Sequence, residues 1–192
     1  MIIILEGMST VGKTMVQKSL DDILSKENID HKTIDQNEGL PPETFEHLNP
    51  KKSLEFLHKY LKENCQNPST VYIFDRLHLS HFAITNGSDE YMSEIEEELL
   101  KYDPLLVLLT VDEARVKERL ISAIKYRGDR WVKELEKRET TGRTATDFHI
   151  GTQRKHVKQY EESKLPKIVF DVTNSDFQTV AEQIFEKYIK TV

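Results

Sequence analysis

Gly7-Met8-Ser9-Thr10-Val11-Gly12-Lys13-Thr14 spells a complete G-x-x-x-x-G-K-T loop directly after the apolar run Ile2-Ile3-Ile4-Leu5. Strand, glycine turn and helix start follow one another as a phosphate-binding loop requires. The glycines allow the chain to turn with positive φ. The backbone N–H groups of Gly7, Met8, Ser9, Thr10, Val11 and Gly12 can then point inward around a polyphosphate, on the positive end of the helix that starts near Lys13. In such a loop the lysine, Lys13, reaches the β- and γ-phosphates and the Thr14 hydroxyl joins a Mg²⁺ shell. ATP and Mg²⁺ are therefore the expected cofactors.

Outward from the loop, short apolar runs alternate with helical periodicity. Strands are predicted at 1–6, 31–35, 70–75, 104–111 and 167–172, and helices at 13–26, 51–66, 78–101, 112–127, 146–163 and 176–190. Val71-Tyr72-Ile73-Phe74 and Leu105-Leu106-Val107-Leu108-Leu109 are continuous apolar runs. Strands buried on both faces read this way, which predicts an α/β fold of three layers, a parallel sheet between two helical layers. Neither repeat nor linker divides the 192 residues, so one domain is expected. Ligands of such sheets lie at the carboxyl ends of the strands, which gathers residues 7–14, 35–40, 75–80 and 173–175 around one cleft.

Bulk composition narrows the classes. The 38% hydrophobic and 31% charged content is that of an ordinary globular chain, and no apolar run reaches membrane-spanning length. One cysteine, Cys65, excludes an internal disulfide, and the N-terminus runs straight into a strand. Both features lead to the expectation of a cytoplasmic protein. A net charge of -6 argues against general nucleic-acid binding, yet residues 111–160 carry 13 Lys/Arg against 8 Asp/Glu. Beside a phosphate loop, that basic stretch is expected to supply a second set of phosphate contacts. The variable loop positions Met8 to Val11 hold no cation, so Arg127, Arg130, Arg138 and Arg143 are the candidates for charge at the transferring phosphoryl group. A lid over about 128–145 would deliver them. The competing reading is a charged helix, because Trp131 to Arg138 has helical spacing.

Asp75-Arg76 closes the third strand at the expected cleft. Its carboxylate suits a Mg²⁺-bound water and its guanidinium a second phosphate. From here the chain resembles the thymidylate kinases of the nucleoside monophosphate kinase class. Asp75-Arg76-Leu77-His78-Leu79-Ser80-His81-Phe82-Ala83 is similar to their D-R-Y-x-x-S-x-x-A, and Leu5-Glu6-Gly7…Gly12-Lys13-Thr14 to their F-E-G-x-x-G-x-G-K-T. Leu108 to Arg119 resembles L-L-D-V-D-P-E-x-A-L-E-R, Arg127-Gly128-Asp129-Arg130 the R-G-x-D-R opening of the lid, and Ile168 to Thr173 the last strand. The resemblance implies a P-loop NTPase fold with strand order 2-3-1-4-5. It also implies a donor-base loop at Thr173-Asn174 and ATP-dependent transfer to a (deoxy)nucleoside monophosphate, and it leaves room for a homodimer.

The departures fall on the acceptor side. The family's R-E-P-G-G after the second strand is replaced by Thr33-Ile34-Asp35-Gln36-Asn37-Glu38-Gly39. Phe56 stands where the family places an aromatic against the acceptor base, and Tyr60 stands where it has a phosphate-binding arginine. Asp35, Glu38, Phe56, Tyr60 and Arg76 are therefore the expected acceptor residues. A deoxynucleoside kinase, with Asp35 or Glu38 as base toward a 5′-hydroxyl, is the alternative. A nucleotide-dependent regulatory module without turnover is the alternative of another class.

Overall fold

Strand β1, Ile2–Glu6, lies in the middle of the sheet with every side chain shut off from solvent. In the computed structural model, which describes residues 1–35, 38, 50–85, 89–139 and 142–190, it pairs in parallel with β3 (Val71–Asp75) on one side. On the other side it pairs in parallel with β4 (Pro104–Thr110). Beyond these lie β2 (His31–Ile34) and β5 (Lys167–Asp171), giving the order β2-β3-β1-β4-β5. The continuous apolar runs are the three inner strands, as double-sided burial demands. The outer strands carry the exceptions, with Lys32 and Thr33 exposed on β2 and Val169 exposed on β5.

Alternation along the strands separates two cores. Ile3, Leu5, Ile73, Val107 and Leu109 meet Val16, Leu20 and Leu24 of α1 (Lys13–Lys26), together with Val116 and Leu120 of α5 (Glu113–Arg138) and Val180 and Ile184 of α7 (Phe177–Ile184). Ile2, Ile4, Phe74 and Leu106 meet Leu57 and Leu61 of α2 (Pro50–Asn64), Leu79 of α3 (His78–Thr85) and Ile95 and Leu99 of α4 (Asp89–Leu99). Each such side chain contributes roughly 1.5–3 kcal/mol by leaving water, and the sum makes three layers. The remaining helix, α6 (Ala145–Glu162), packs against α5 and α3. Among the described residues no helix is long and apolar enough to cross a membrane.

Two expectations change. The single helix predicted over 78–101 is two helices, α3 and α4, followed by a 3-10 turn at Leu100–Tyr102. The sequence between them, Asn86-Gly87-Ser88, is poor in helix formers, a local signal that the periodicity over a longer window outweighed. The helix predicted to stop at 127 runs to Arg138, interrupted at Gly128, which takes φ 63° and ψ -158°. A Cβ there would meet nothing within 4 Å, so backbone conformation rather than space selects glycine. Residues 129–138, expected to begin a polar lid, are helical because Trp131 and Leu135 anchor one face in the α1-side core.

Candidate active site

The loop after β1 is shaped by Gly12, whose φ of 110° is left-handed and whose carbonyl accepts the first helical bonds from Met15 N and Val16 N. Phe177, the first residue of α7, lies against it: a Cβ on Gly12 would fall 2.1 Å from Phe177 Cε1. Glycine is required here by both φ and space. Lys13 is 5% exposed and folds back over the loop, its Nζ donating to Gly7 O at 2.8 Å and Met8 O at 2.9 Å. Burial, reinforced by the Arg76 charge and more weakly by Arg127, pushes the Lys13 ammonium down to about 7, against the pull of Asp75 and Glu6. Cations that repel one another at such depth favour an anion between them.

Parallel register brings the strand ends together. Leu5 pairs with Asp75 and Ile34 with Phe74, so Asp75 and Asp35 leave the sheet beside the loop. Thr14 Oγ1 donates to Asp75 Oδ2 at 2.8 Å, whereas Asp75 Oδ1 is buried with no hydrogen-bond partner. A hydroxyl and a carboxylate with one uncompensated buried oxygen fit Mg²⁺, which takes few protein ligands and fills its octahedron with water and phosphate oxygens. No cluster of three or more His, Cys, Asp or Glu suited to a metal occurs among the described residues.

Arg76 occupies the left-handed region at φ 76°, a cost borne where neighbouring structure enforces it. Its N–H donates to Leu5 O at 2.9 Å, and its Nη2 reaches Ser9 Oγ at 3.2 Å, so the guanidinium lies across the loop mouth. Glu6 completes the enforcement. Fully buried, it accepts from Leu77 N at 3.0 Å and from Ser80 N and Ser80 Oγ at 3.1 and 2.5 Å, capping α3. Burial opposes its charge, yet the His156 and His78 side, the Ser80 hydroxyl and the Leu77 amide hold the carboxyl below its ordinary value. Sequence reading had Glu6 only as a letter of a motif. Its role as a cap depends on β1 meeting α3 across 71 residues.

After β5, Thr173 Oγ1 accepts from Asp112 N at 2.7 Å, and the exposed Asn174 follows in the turn before α7. Arg119 links this turn to the loop: its guanidinium donates to Val172 O, to Thr173 O at 3.1 Å and to Val11 O at 3.5 Å. On the other side Tyr60 OH donates to Glu38 Oε1 at 2.9 Å, and Lys32 Nζ stands 3.2 Å from the same oxygen. Burial and the Glu38 bond raise the Tyr60 phenol. Phe56 stacks on Tyr60 with centroids 5.9 Å apart, and Asp35 Oδ1 accepts from Glu38 N at 3.1 Å. The five acceptor candidates thus divide into Asp35, Glu38, Phe56 and Tyr60 in one linked group and Arg76 at the loop.

Of the lid candidates, Arg127 and Arg130 are both exposed on α5; the Arg127 charge is felt weakly at Lys13 and Arg76, and that of Arg130 weakly at Glu134. The α6 face behind them is unexpectedly polar. His149, Gln153 and His156 are buried, and Gln153 clasps the Val111 backbone by both amide atoms, at 3.0 and 2.8 Å. Burial first, then the surrounding cations, pushes His149 down to about 4; burial likewise brings His156 to about 4 against the pull of Glu6. The spacing 149, 153, 156 on a predicted helix was the signal available for this inward stripe.

The sequence matches no protein-family model and no curated protein. Among solved structures the chain is similar to the YorR protein of Bacillus subtilis in complex with phosphorylated GDP, with TM-score 0.68 and 18% identity over 97% of this chain and 94% of that one. It is also similar to deoxyadenosine kinase from M. mycoides with bound dCTP, TM-score 0.53 and 19% identity, and to the same enzyme with dCMP and dCDP, TM-score 0.55 and 17% identity, each over 100% of both chains. Likeness at such identity is likeness of fold: the chain has the α/β architecture of P-loop nucleotide and nucleoside kinases, with sheet order 2-3-1-4-5.

Proposed function

We propose that the chain transfers the γ-phosphoryl group of ATP to a (deoxy)nucleoside monophosphate, giving ADP and the diphosphate. The observation that carries the reading is the loop with Lys13, the Thr14–Asp75 pair and Arg76 converging on it. Lys13 exchanges the Gly7 and Met8 carbonyls for phosphate oxygens, and the added negative charge restores its proton affinity. Thr14 and Asp75 would hold Mg²⁺, which would supply neutralisation of the charge developing on the phosphates. Arg76 spans the gap between the loop and the second phosphate, and Arg127 stands at the edge of the stretch 128–145, which acts as a lid on a single catalytic domain. Thr173 and Asn174 border the donor base. Arg76 and Arg127 add cations beyond the loop's own lysine, which supports an acceptor that brings a phosphate of its own.

A second reading, transfer to a nucleoside 5′-hydroxyl, is favoured by the Tyr60–Glu38 pair and Asp35. A hydroxyl must lose a proton as it attacks, and a carboxylate can take it, whereas an ionised phosphate needs no base. ADP formation measured with each nucleoside and each monophosphate in turn tests both. Turnover with monophosphates alone supports the first reading, and turnover with nucleosides alone replaces it with the second. ATP binding without ADP formation from any acceptor would leave a nucleotide-dependent regulatory module.

A further inference from the structure

Three arginines of the basic stretch share one aromatic cluster. Arg127 Cζ lies 4.6 Å from the centre of the Trp131 ring. Arg138 Cζ lies 4.6 Å and Arg143 Cζ 5.3 Å from the centre of Phe148. His149 joins the two rings, 5.9 Å from Trp131 and 5.3 Å from Phe148. The cations come from both sides of the Gly128 interruption and from the residues before α6, so distant parts of the stretch converge on one place. Among the described residues none of the three closes an ion pair with a carboxylate, whereas Arg115 and Arg154 of the same two helices do so with Glu118 and Glu113.

We infer that Trp131 and Phe148 are the resting seats of these arginines, and that a polyphosphate ligand draws the guanidiniums off the rings onto its own oxygens. The inference rests on the kinase reading above. A ring face attracts a guanidinium through its quadrupole but leaves the five N–H donors of the fork unspent. Phosphate offers bidentate, charge-assisted hydrogen bonds, which are the stronger interaction. A carboxylate seat would neutralise the cation and compete with phosphate for it. An aromatic seat holds the cation close and keeps its field available to attract an anion. The cluster shares a core with the phosphate loop, since Trp131 is buried in the same packed group as Met8 and Val11, and the Arg127 charge is felt at Lys13 and Arg76. Trp131 and Phe148 are accordingly positioning residues, not catalytic ones.

Trp131 is the one tryptophan in the chain, so its emission reads the seat directly. Emission and binding are measured for the wild type, Phe148→Leu and Phe148→Tyr, with Mg·ATP, tripolyphosphate and adenosine as probes. Trp131 emission should change with Mg·ATP and with tripolyphosphate and stay constant with adenosine. Phe148→Leu should bind tripolyphosphate about two- to five-fold more tightly, because two arginines no longer leave a ring, while Phe148→Tyr should keep the wild-type affinity. Suppose Mg·ATP protects the wild type against heat and ADP forms, yet emission is constant and both variants bind as the wild type does. Then the seats are wrong and the kinase reading stands. If the wild type binds neither Mg·ATP nor tripolyphosphate, the kinase reading falls and takes the seats with it. A Phe148→Leu chain that does not fold leaves the emission of the wild type as the deciding measurement.

Discussion

Replacing Lys13 by methionine should stabilise the ligand-free protein while abolishing its response to nucleotide. Methionine keeps the unbranched stem in the buried site and removes the ammonium. In the folded chain burial and Arg76 lower Lys13 from 10.5 to about 7. At about 1.4 kcal/mol per tenfold change in acidity, holding that charge costs on the order of 5 kcal/mol. The sign follows from proton counting. Between pH 7 and 10.5 the unfolded chain keeps a proton on Lys13 that the folded chain has released, so wild-type stability rises with pH across this window. Below pH 7 both states are protonated and the full cost is present; above 10.5 it vanishes. Urea denaturation of both proteins from pH 6 to 10 should therefore show Lys13→Met ahead by several kcal/mol at pH 6 and by little at pH 10. Mg·ATP should raise the wild-type midpoint only. Calorimetry at pH 8 in two buffers of different ionisation enthalpy should record proton uptake as the wild type binds Mg·ATP. Parallel pH profiles for the two proteins would refute the argument, because they would mean that Lys13 carries no unfavourable charge in the free loop.

Gly12→Ala must move Phe177, which a Cβ would approach to 2.1 Å, and must hold alanine at φ 110°; a loss of about 2–4 kcal/mol in thermal unfolding is expected, with Phe177→Ala restoring only the steric part. Arg127→Ala should lower the turnover number by about 10²–10³, the usual loss of one transition-state donor, while Arg130→Ala should change it little; equal effects in steady-state assays would remove the distinction drawn from their surroundings. Arg76→Ala should raise the Michaelis constant for the acceptor more than that for ATP, and the reverse pattern would make Arg76 a donor-side residue.

The sequence by itself determined the phosphate loop, the strand that feeds it and the parallel sheet around it. These are local matters: glycine at 7 and 12 sets backbone dihedrals, and an unbroken run such as Leu105 to Leu109 is compatible only with burial on both faces. The ends of α1 were legible for the same reason, since Gly12 and Lys26 bound it in the sequence as in the structure. Tertiary structure decided the rest. Helical periodicity ran over Asn86-Gly87-Ser88 in one place and stopped too early in another, where anchoring of Trp131 and Leu135 in the core carries helix past Gly128. Tyr60 turned out to belong with Glu38 and Arg119 with three backbone carbonyls. The Arg127 charge, and not that of Arg130, is felt at Lys13. Glu6, a mere motif letter in the sequence, caps α3 from 71 residues away. Each of these is a meeting of side chains from elements distant along the chain. Which partner a donor or cation finds depends on how those elements pack, and no window of sequence contains both halves of such a contact.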